Sequence, residues 1–176
     1  MFPRAFAVML VIAAPVRADL GPNLDAFVAA ALTHGLGNPL IEVEDEPWSS
    51  GEYSLTLTRI GAAEIRSAED LIEATVPLRF EFAGQVKRDL VVTELDVRCT
   101  TDFETQGSVQ LDFRFRDGKP DVVSTVTLPI PEADVDCGIL SLPVQGVLEE
   151  LVTRSRPDWE ERLDGAIRTR LRRMLE

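Results

Sequence analysis

The sequence predicts an α+β fold, in which an N-terminal helix and C-terminal helices pack on a long, strongly twisted, five-stranded antiparallel meander sheet. Three observations support this fold class. Apolar residues recur with a helical period near both ends of the chain, they alternate with polar residues in between, and short turn signals separate the alternating runs. A chain of 176 residues is long enough for one such domain.

Residues 1–18 precede this domain and have the pattern of a secretory signal peptide. A basic start is followed by an apolar stretch over 5–14, and Val16 and Ala18 stand at the −3 and −1 positions of a cleavage site. The apolar stretch is too short to cross a bilayer. We therefore expect a single helix–sheet–helix domain over 19–176, located in the periplasm or secreted, and not an integral membrane protein.

The first helix is predicted within residues 19–34. Its apolar residues recur at i, i+3, i+4, i+7 and i+8 and form one stripe: Leu24, Phe27, Val28, Ala31 and Leu32. Gly35 and Gly37 are expected to end the helix, because glycine tolerates the left-handed conformation found there. His34, at the end of the helix, is expected to bind one of the last free carbonyls.

The segment 38–50 is expected to connect this helix to the sheet. It contains the acidic run 42–46, which we interpret as a solvated loop; calcium binding is the alternative, although the spacing of a calcium loop is missing. Strand one follows around Tyr53, with a bulge expected near Gly61. Strand two covers 72–82, and its proline, Pro77, predicts a bulge or an open edge because proline has no N–H to donate.

The remaining strands are predicted over 91–103, 109–115 and 122–130. Three turns are expected between strands two to five, on the basis of glycine: Ala83-Gly84-Gln85, Thr105-Gln106-Gly107-Ser108 and Asp117-Gly118. The chain then forms a short helix over about 143–154. It restarts at Ser155-Arg156-Pro157-Asp158 and ends in a second helix with Trp159, Leu163 and Ile167 on its apolar stripe.

The composition excludes several classes of function. Thirty acidic residues against 18 basic ones give a formal charge of −12, which argues against a nucleic-acid partner because phosphates require a basic surface. One histidine and two cysteines are too few for a four-ligand zinc site of Cys and His. The sequence also contains no nucleotide-binding loop and no nucleophile elbow. We therefore expect a protein that is not an enzyme and that needs no cofactor and no metal.

The two cysteines, Cys99 and Cys137, are expected to form a disulfide. An exported chain meets an oxidising compartment, where two lone cysteines most often pair. Two buried free thiols are the alternative.

The order of the elements resembles the tubular lipid-binding (TULIP-like) superfamily, in particular its small bacterial periplasmic members. The resemblance covers roughly residues 20–176 and lies in element order and strand length; the stretches YSLTL (53–57) and TLPIP (127–131) fit it. It implies a hydrophobic groove for a lipid chain between the sheet and a helix.

Two functions are compatible with these patterns. The first is a carrier or binder of an apolar, lipid-like ligand in such a groove, whose candidate lining residues are Phe27, Leu78, Phe80, Phe82, Phe103, Phe113 and Phe115. The second is a non-enzymatic interaction or assembly module with a solid core, which binds a protein partner at an open strand edge or at the arginine-rich last helix. A contiguous apolar cavity favours the first function, and a densely packed interior favours the second.

We predict that the exported protein begins at Asp19, because Val16 and Ala18 satisfy the cleavage pattern. N-terminal sequencing of material recovered outside the cytoplasm measures this directly. A chain that still starts at Met1, or one that starts beyond about residue 25, would contradict the interpretation of the first segment.

Overall fold

The computed structural model describes residues 21–48, 51–68, 71–89, 94–116, 119–137 and 141–175. The predicted signal segment and its cleavage site lie outside these residues. The elements are α1 (Gly21–Leu36), β1 (Ile41–Trp48), β2 (Gly51–Arg59), β3 (Glu64–Ala68), β4 (Leu71–Asp89), β5 (Glu94–Arg116), β6 (Lys119–Thr127), β7 (Asp134–Asp136), β8 (Ser141–Pro143) and α2 (Gln145–Leu175). The predicted α+β fold class, with a helix at each end of a curled antiparallel sheet, is confirmed.

Helix α1 packs through its predicted stripe. Phe27, Val28, Ala31 and Leu32 are all buried, whereas the side chain of Leu24 is not among those described. The helix continues through Gly35 and ends before Gly37, whose φ of 76° is the left-handed conformation expected of a terminating glycine. Gly35 serves the packing instead, because a Cβ there would lie 3.0 Å from Cδ2 and 3.2 Å from Cα of Leu163 on α2.

The expected connector over 38–50 is wrong, since most of it forms the edge strand β1. This strand pairs with β2 from Ile41 opposite Leu57 to Trp48 opposite Gly51, with a register shift between Val43 and Glu46. Ile41 is buried, and Glu42 and Glu44 are exposed. The acidic side chains therefore lie on the solvent side of a half-buried strand. In sequence, such a strand resembles an acidic loop.

The irregularity predicted as a bulge near Gly61 is an interruption between two strands. Strand β2 stops at Arg59, β3 starts at Glu64, and the two pair with the same edge of β4 on either side of Pro77. Pro77 has no N–H, but its carbonyl accepts a hydrogen bond from the N–H of Ile60 at 3.1 Å. Pro77 therefore lies opposite the gap between β2 and β3, where this edge of β4 has no paired strand.

Two of the three predicted turns are wrong, because β4 continues through 83–85 and β5 continues through 105–108. Predicted strands three and four are thus one strand of 23 residues. The two glycines leave room for neighbouring side chains: a Cβ on Gly84 would lie 3.0 Å from the ring of Phe82, and one on Gly107 would lie 3.1 Å from Leu78. The third turn, 117–118, lies outside the described residues, but the register closes around it with Arg116 opposite Lys119.

The two predicted C-terminal helices are one helix of 31 residues, α2, with Pro157 inside it. A proline within a helix removes one backbone hydrogen bond. Pro157 is exposed, so the side of the helix with the missing bond faces water. Buried Val152 and Trp159 on either side of it hold both halves of the helix to the core. The predicted restart at Ser155 is therefore wrong.

Helix α2 closes one edge of the sheet. The sheet order is β1-β2-β4-β5-β6, with β3 beside β4, and the outer backbone of β6 bonds to side chains of α2. The N–H of Ser124 donates to Asp164 Oδ1 at 2.8 Å, and the N–H of Val126 donates to Glu160 Oε1 at 2.9 Å. Arg168 Nη2 donates to the carbonyl of Val122 at 3.0 Å.

The predicted disulfide between Cys99 and Cys137 is confirmed, with the two Cα atoms 4.8 Å apart. It joins the first part of β5 to the residue that follows β7. Strand β8, which pairs with β7, lies between Cys137 and α2 in the sequence, so the start of the long helix is attached to the sheet by a short segment of chain.

We predict that Phe80→Ala lowers the free energy of unfolding by about 3–5 kcal/mol, as deletion of a fully packed aromatic ring does. Phe80 is 0% exposed, and its ring lies 5.0 Å from that of Phe103. Denaturant unfolding measures the change. Phe113→Ala, at a half-buried position of the same sheet, is the control and should lower stability less. A loss under about 1 kcal/mol for Phe80→Ala would mean that the ring borders open space.

Candidate binding site

The groove residues predicted from the sequence fall into separate clusters. Leu78, Phe80 and Phe82 lie on the buried face of β4, and Phe27 is buried on α1. Phe80 stacks on half-buried Phe103, whereas Phe82 packs with Trp48 and Tyr53.

The last two groove candidates lie near the far end of β5. Phe113 is half-buried opposite Val122. Phe115 lies opposite Pro120 in the register, but its side chain is outside the described set. The clusters follow the whole length of the sheet and do not line one common slot.

Buried apolar side chains of the sheet and of both helices pack into one cluster in the described part of the chain. An apolar void where Leu36, Trp159 and Leu128 meet the sheet has a volume of about 20 Å³. That is close to the volume a single water needs. The void holds no more than a fragment of an acyl chain unless α2 moves away from the sheet.

A larger cleft of about 480 Å³ opens where the end of β1 and the start of β2 face the first turns of α2. Its volume is within the range of small-molecule sites, roughly 300–1,000 Å³. Ten residues line it: Glu46, Pro47, Trp48, Tyr53, Pro143, Gly146, Val147, Glu150, Leu151 and Arg154. This cleft was not predicted, because the segment 38–50 was expected to be a connector and not a strand.

An aromatic cluster forms one wall of the cleft. The rings of Tyr53 and Phe82 are stacked with centroids 5.8 Å apart, and Trp48 meets both edge-on at 6.1 and 5.7 Å. Tyr53 is only 8% exposed, and its hydroxyl, which is accessible, has no hydrogen-bond partner among the described residues. The buried indole N–H of Trp48 likewise has no acceptor within the described ranges.

Three charged side chains complete the cleft: Glu46 from β1, and Glu150 and Arg154 from α2. None of them has an ion-pair partner within 4.0 Å in the described part of the chain. All three act on Tyr53. Its pKa is raised from the ordinary value of 10.0 by burial first and then by Glu46, while Arg154 opposes the rise and Glu150 adds to it. The cleft therefore offers aromatic faces, two carboxylates and one guanidinium around a single phenol.

The other candidate residues have structural roles. Nδ1 of His34 lies 2.7 Å from the carbonyl oxygen of Ala30, one turn earlier in α1, so the predicted contact with one of the last free carbonyls is wrong. Trp159 is buried and donates its indole N–H to the carbonyl of Leu40 at 3.2 Å. Within the described ranges, histidine, cysteine and acidic residues do not gather in a group of three or more that could hold a metal. No described helix is both long and apolar enough to span a membrane.

No known family model matches the chain, and no protein of curated function is similar to it in sequence. The chemistry of the cleft and of the sheet edges is therefore the basis for a functional interpretation.

We predict that Tyr53 titrates above pH 10.0, because burial and the nearby carboxylates disfavour its phenolate. It is the only tyrosine of the chain, so phenolate absorbance in an alkaline titration measures it alone. Glu46→Gln and Glu150→Gln should lower this pKa, and Arg154→Gln should raise it. Glu149→Gln, outside the cleft, is the control and should leave it unchanged.

The same rise in pKa has a consequence for stability. A folded-state pKa above the unfolded one contributes stability that is fully present below about pH 10 and is lost as the pH rises through the folded pKa. Tyr53→Phe should therefore weaken the alkaline loss of stability. A Tyr53 pKa at or below 10.0, or one that does not respond to Arg154→Gln, would contradict the described arrangement of charges.

Proposed function

We propose that the protein is a non-enzymatic interaction module of the periplasm, or of the space outside the cell, which binds a basic, extended segment of a partner protein at the β1 edge of its sheet. The observation that carries the proposal is the difference between the two edges. Side chains of α2 bond to two backbone N–H groups and one carbonyl on the outer edge of β6, whereas β1 stands at the other end of the sheet with no described strand beyond it.

The chemistry of β1 favours a basic partner. The strand reads IEVEDEPW, with four acidic residues and no basic one, and Glu42, Glu44 and Asp45 are exposed. An extended peptide that adds to a sheet edge gains main-chain hydrogen bonds, and its alternate side chains lie beside those of the edge strand. A second copy of the same acidic edge is disfavoured by like charge.

The filled interior supports this function over the carriage of a lipid. A carrier requires a slot of acyl-chain size, whereas the apolar void in the described core is about 20 Å³. The disulfide supports the proposed location, because such bonds persist in oxidising compartments. The expected signal segment fits the same location.

We predict that a synthetic peptide of alternating lysine and valine binds the protein at low salt and slows amide exchange in β1. The matched peptide of alternating glutamate and valine should not bind. Glu42→Lys combined with Glu44→Lys should weaken binding by about tenfold or more, since complementary charge is reversed at the edge. Glu161→Lys, at an exposed position of α2, is the control and should change binding little.

The same protein preparation tests the alternative function, a carrier of lipid. Stoichiometric uptake of a fluorescent fatty acid, reduced by Phe80→Trp, together with no protection of β1 by the basic peptide, would overturn the proposal in favour of a carrier. Native mass spectrometry of protein from its own host, with a search for co-purified lipid, gives an independent answer.

A further inference from the structure

We propose that the cleft between β1, β2 and the first turns of α2 is a binding site for a small zwitterion, which carries an alkylammonium group and a phosphate or carboxylate group. The inference goes beyond the proposed edge function and does not depend on it. It rests on the shape of the cleft, on its aromatic wall, and on three charged side chains that lack partners.

The cationic half of the ligand fits the aromatic and acidic side of the cleft. A quaternary or alkylated ammonium is attracted to the faces of tryptophan and tyrosine, and Trp48 and Tyr53 present two rings at 63° to each other. Glu46 and Glu150 line the same cleft and supply opposite charge. Two rings and two carboxylates together suit a bulky organic cation.

The anionic half fits Arg154. A guanidinium recognises phosphate and carboxylate through parallel N–H donors, and Arg154 has no ion pair within the described residues to break first. A simple cation would leave this positive charge uncompensated in the cleft. A zwitterion matches all three charged side chains, because it brings a positive and a negative group together.

Tyr53 is a second feature of the cleft that suits the anionic group. Its ring is stacked on Phe82 and is largely buried, whereas its hydroxyl is accessible and has no protein partner in the described part of the chain. The phenol lines the cleft and responds to Glu46, Glu150 and Arg154 alike. An oxygen of the anionic group can accept a hydrogen bond from this hydroxyl in place of water.

The test compares soluble probes: phosphocholine and glycine betaine as zwitterions, tetramethylammonium as the bare cation and acetate as the bare anion. Calorimetry measures affinity. Tryptophan fluorescence measures binding in the cleft, because Trp48 lines it while the other tryptophan, Trp159, is buried in the core. We expect at least one zwitterion to bind about tenfold or more tightly than tetramethylammonium, the difference that one charge-assisted hydrogen bond gives.

Arg154→Gln should remove the advantage of the zwitterion and leave the affinity for tetramethylammonium equal or higher. Tyr53→Phe keeps the stacked ring and should weaken the zwitterion alone. Trp48→Phe should remove most of the fluorescence response. Glu149→Gln and Arg172→Gln, two charge changes outside the cleft, are the controls and should change neither affinity. Thermal unfolding of each variant verifies that it folds.

Vesicles distinguish the two possible sources of the zwitterion, a lipid headgroup and a free small molecule. Sedimentation with phosphatidylcholine vesicles that phosphocholine competes away identifies a lipid headgroup, whereas binding of soluble zwitterions without vesicle binding identifies a free small molecule; both support the site. The proposal is overturned if neither the zwitterions nor the vesicles bind at millimolar concentration. It is also overturned if folded Arg154→Gln binds the zwitterions as the wild type does. Neither result bears on the β1 edge, which the peptide experiment tests separately.

Discussion

The architecture depends on the way the sheet ends at α2. A sheet with one apolar face must cover that face, and an edge strand must also satisfy or protect its free backbone groups. Here one helix does both, because its apolar side fills the curled sheet while Glu160, Asp164 and Arg168 bond to the outer backbone of β6. The helix therefore acts in place of a further strand, and it fixes how far the sheet curls.

This arrangement makes the two edges of the sheet unlike. The β6 edge has several of its hydrogen-bonding groups bonded to side chains of α2, whereas the β1 edge carries acidic side chains, a register shift and Pro47. Protection by charge is selective, since it repels a similar strand and attracts a basic one. The chemistry available for recognition is thus concentrated on the side of the molecule where β1 and the first half of α2 come together.

Periodicity in the sequence predicted the elements well where their two faces differ. The stripe of α1 and the alternation in β4 each reflect one buried side, and the break at Pro77 follows from a missing N–H. The turns predicted at Gly84 and Gly107 were wrong, because a turn and a crowded strand both require a residue without a side chain. The helix break predicted near Pro157 was wrong for a related reason, as a proline can remain in a helix when the missing bond faces water and the flanking residues are firmly packed.

The cleft could not be predicted in the same way. Trp48 and Tyr53 meet Glu150 and Arg154 from distant parts of the sequence, and no local pattern joins them. The alternation of Ile41 and Val43 with acidic residues was the available signal for β1, but the acidic run after it obscured the period. Once β1 is known to be a strand that ends at Trp48, the aromatic cluster follows from the register with β2 and β4.

The position of the disulfide has a consequence for how the two walls of this cleft are held together. Cys99 lies opposite Gly84, which is packed beneath Trp48, and Cys137 precedes the start of α2 by a few residues. The bond therefore connects the start of α2, which forms one wall of the cleft, to the strand beside Gly84, which lies under the aromatic wall. When the thiols are reduced, noncovalent packing of the domain holds these two walls together. Reduction of the bond removes this covalent link, whereas the oxidised chain keeps the start of α2 tied to the strand beside Gly84.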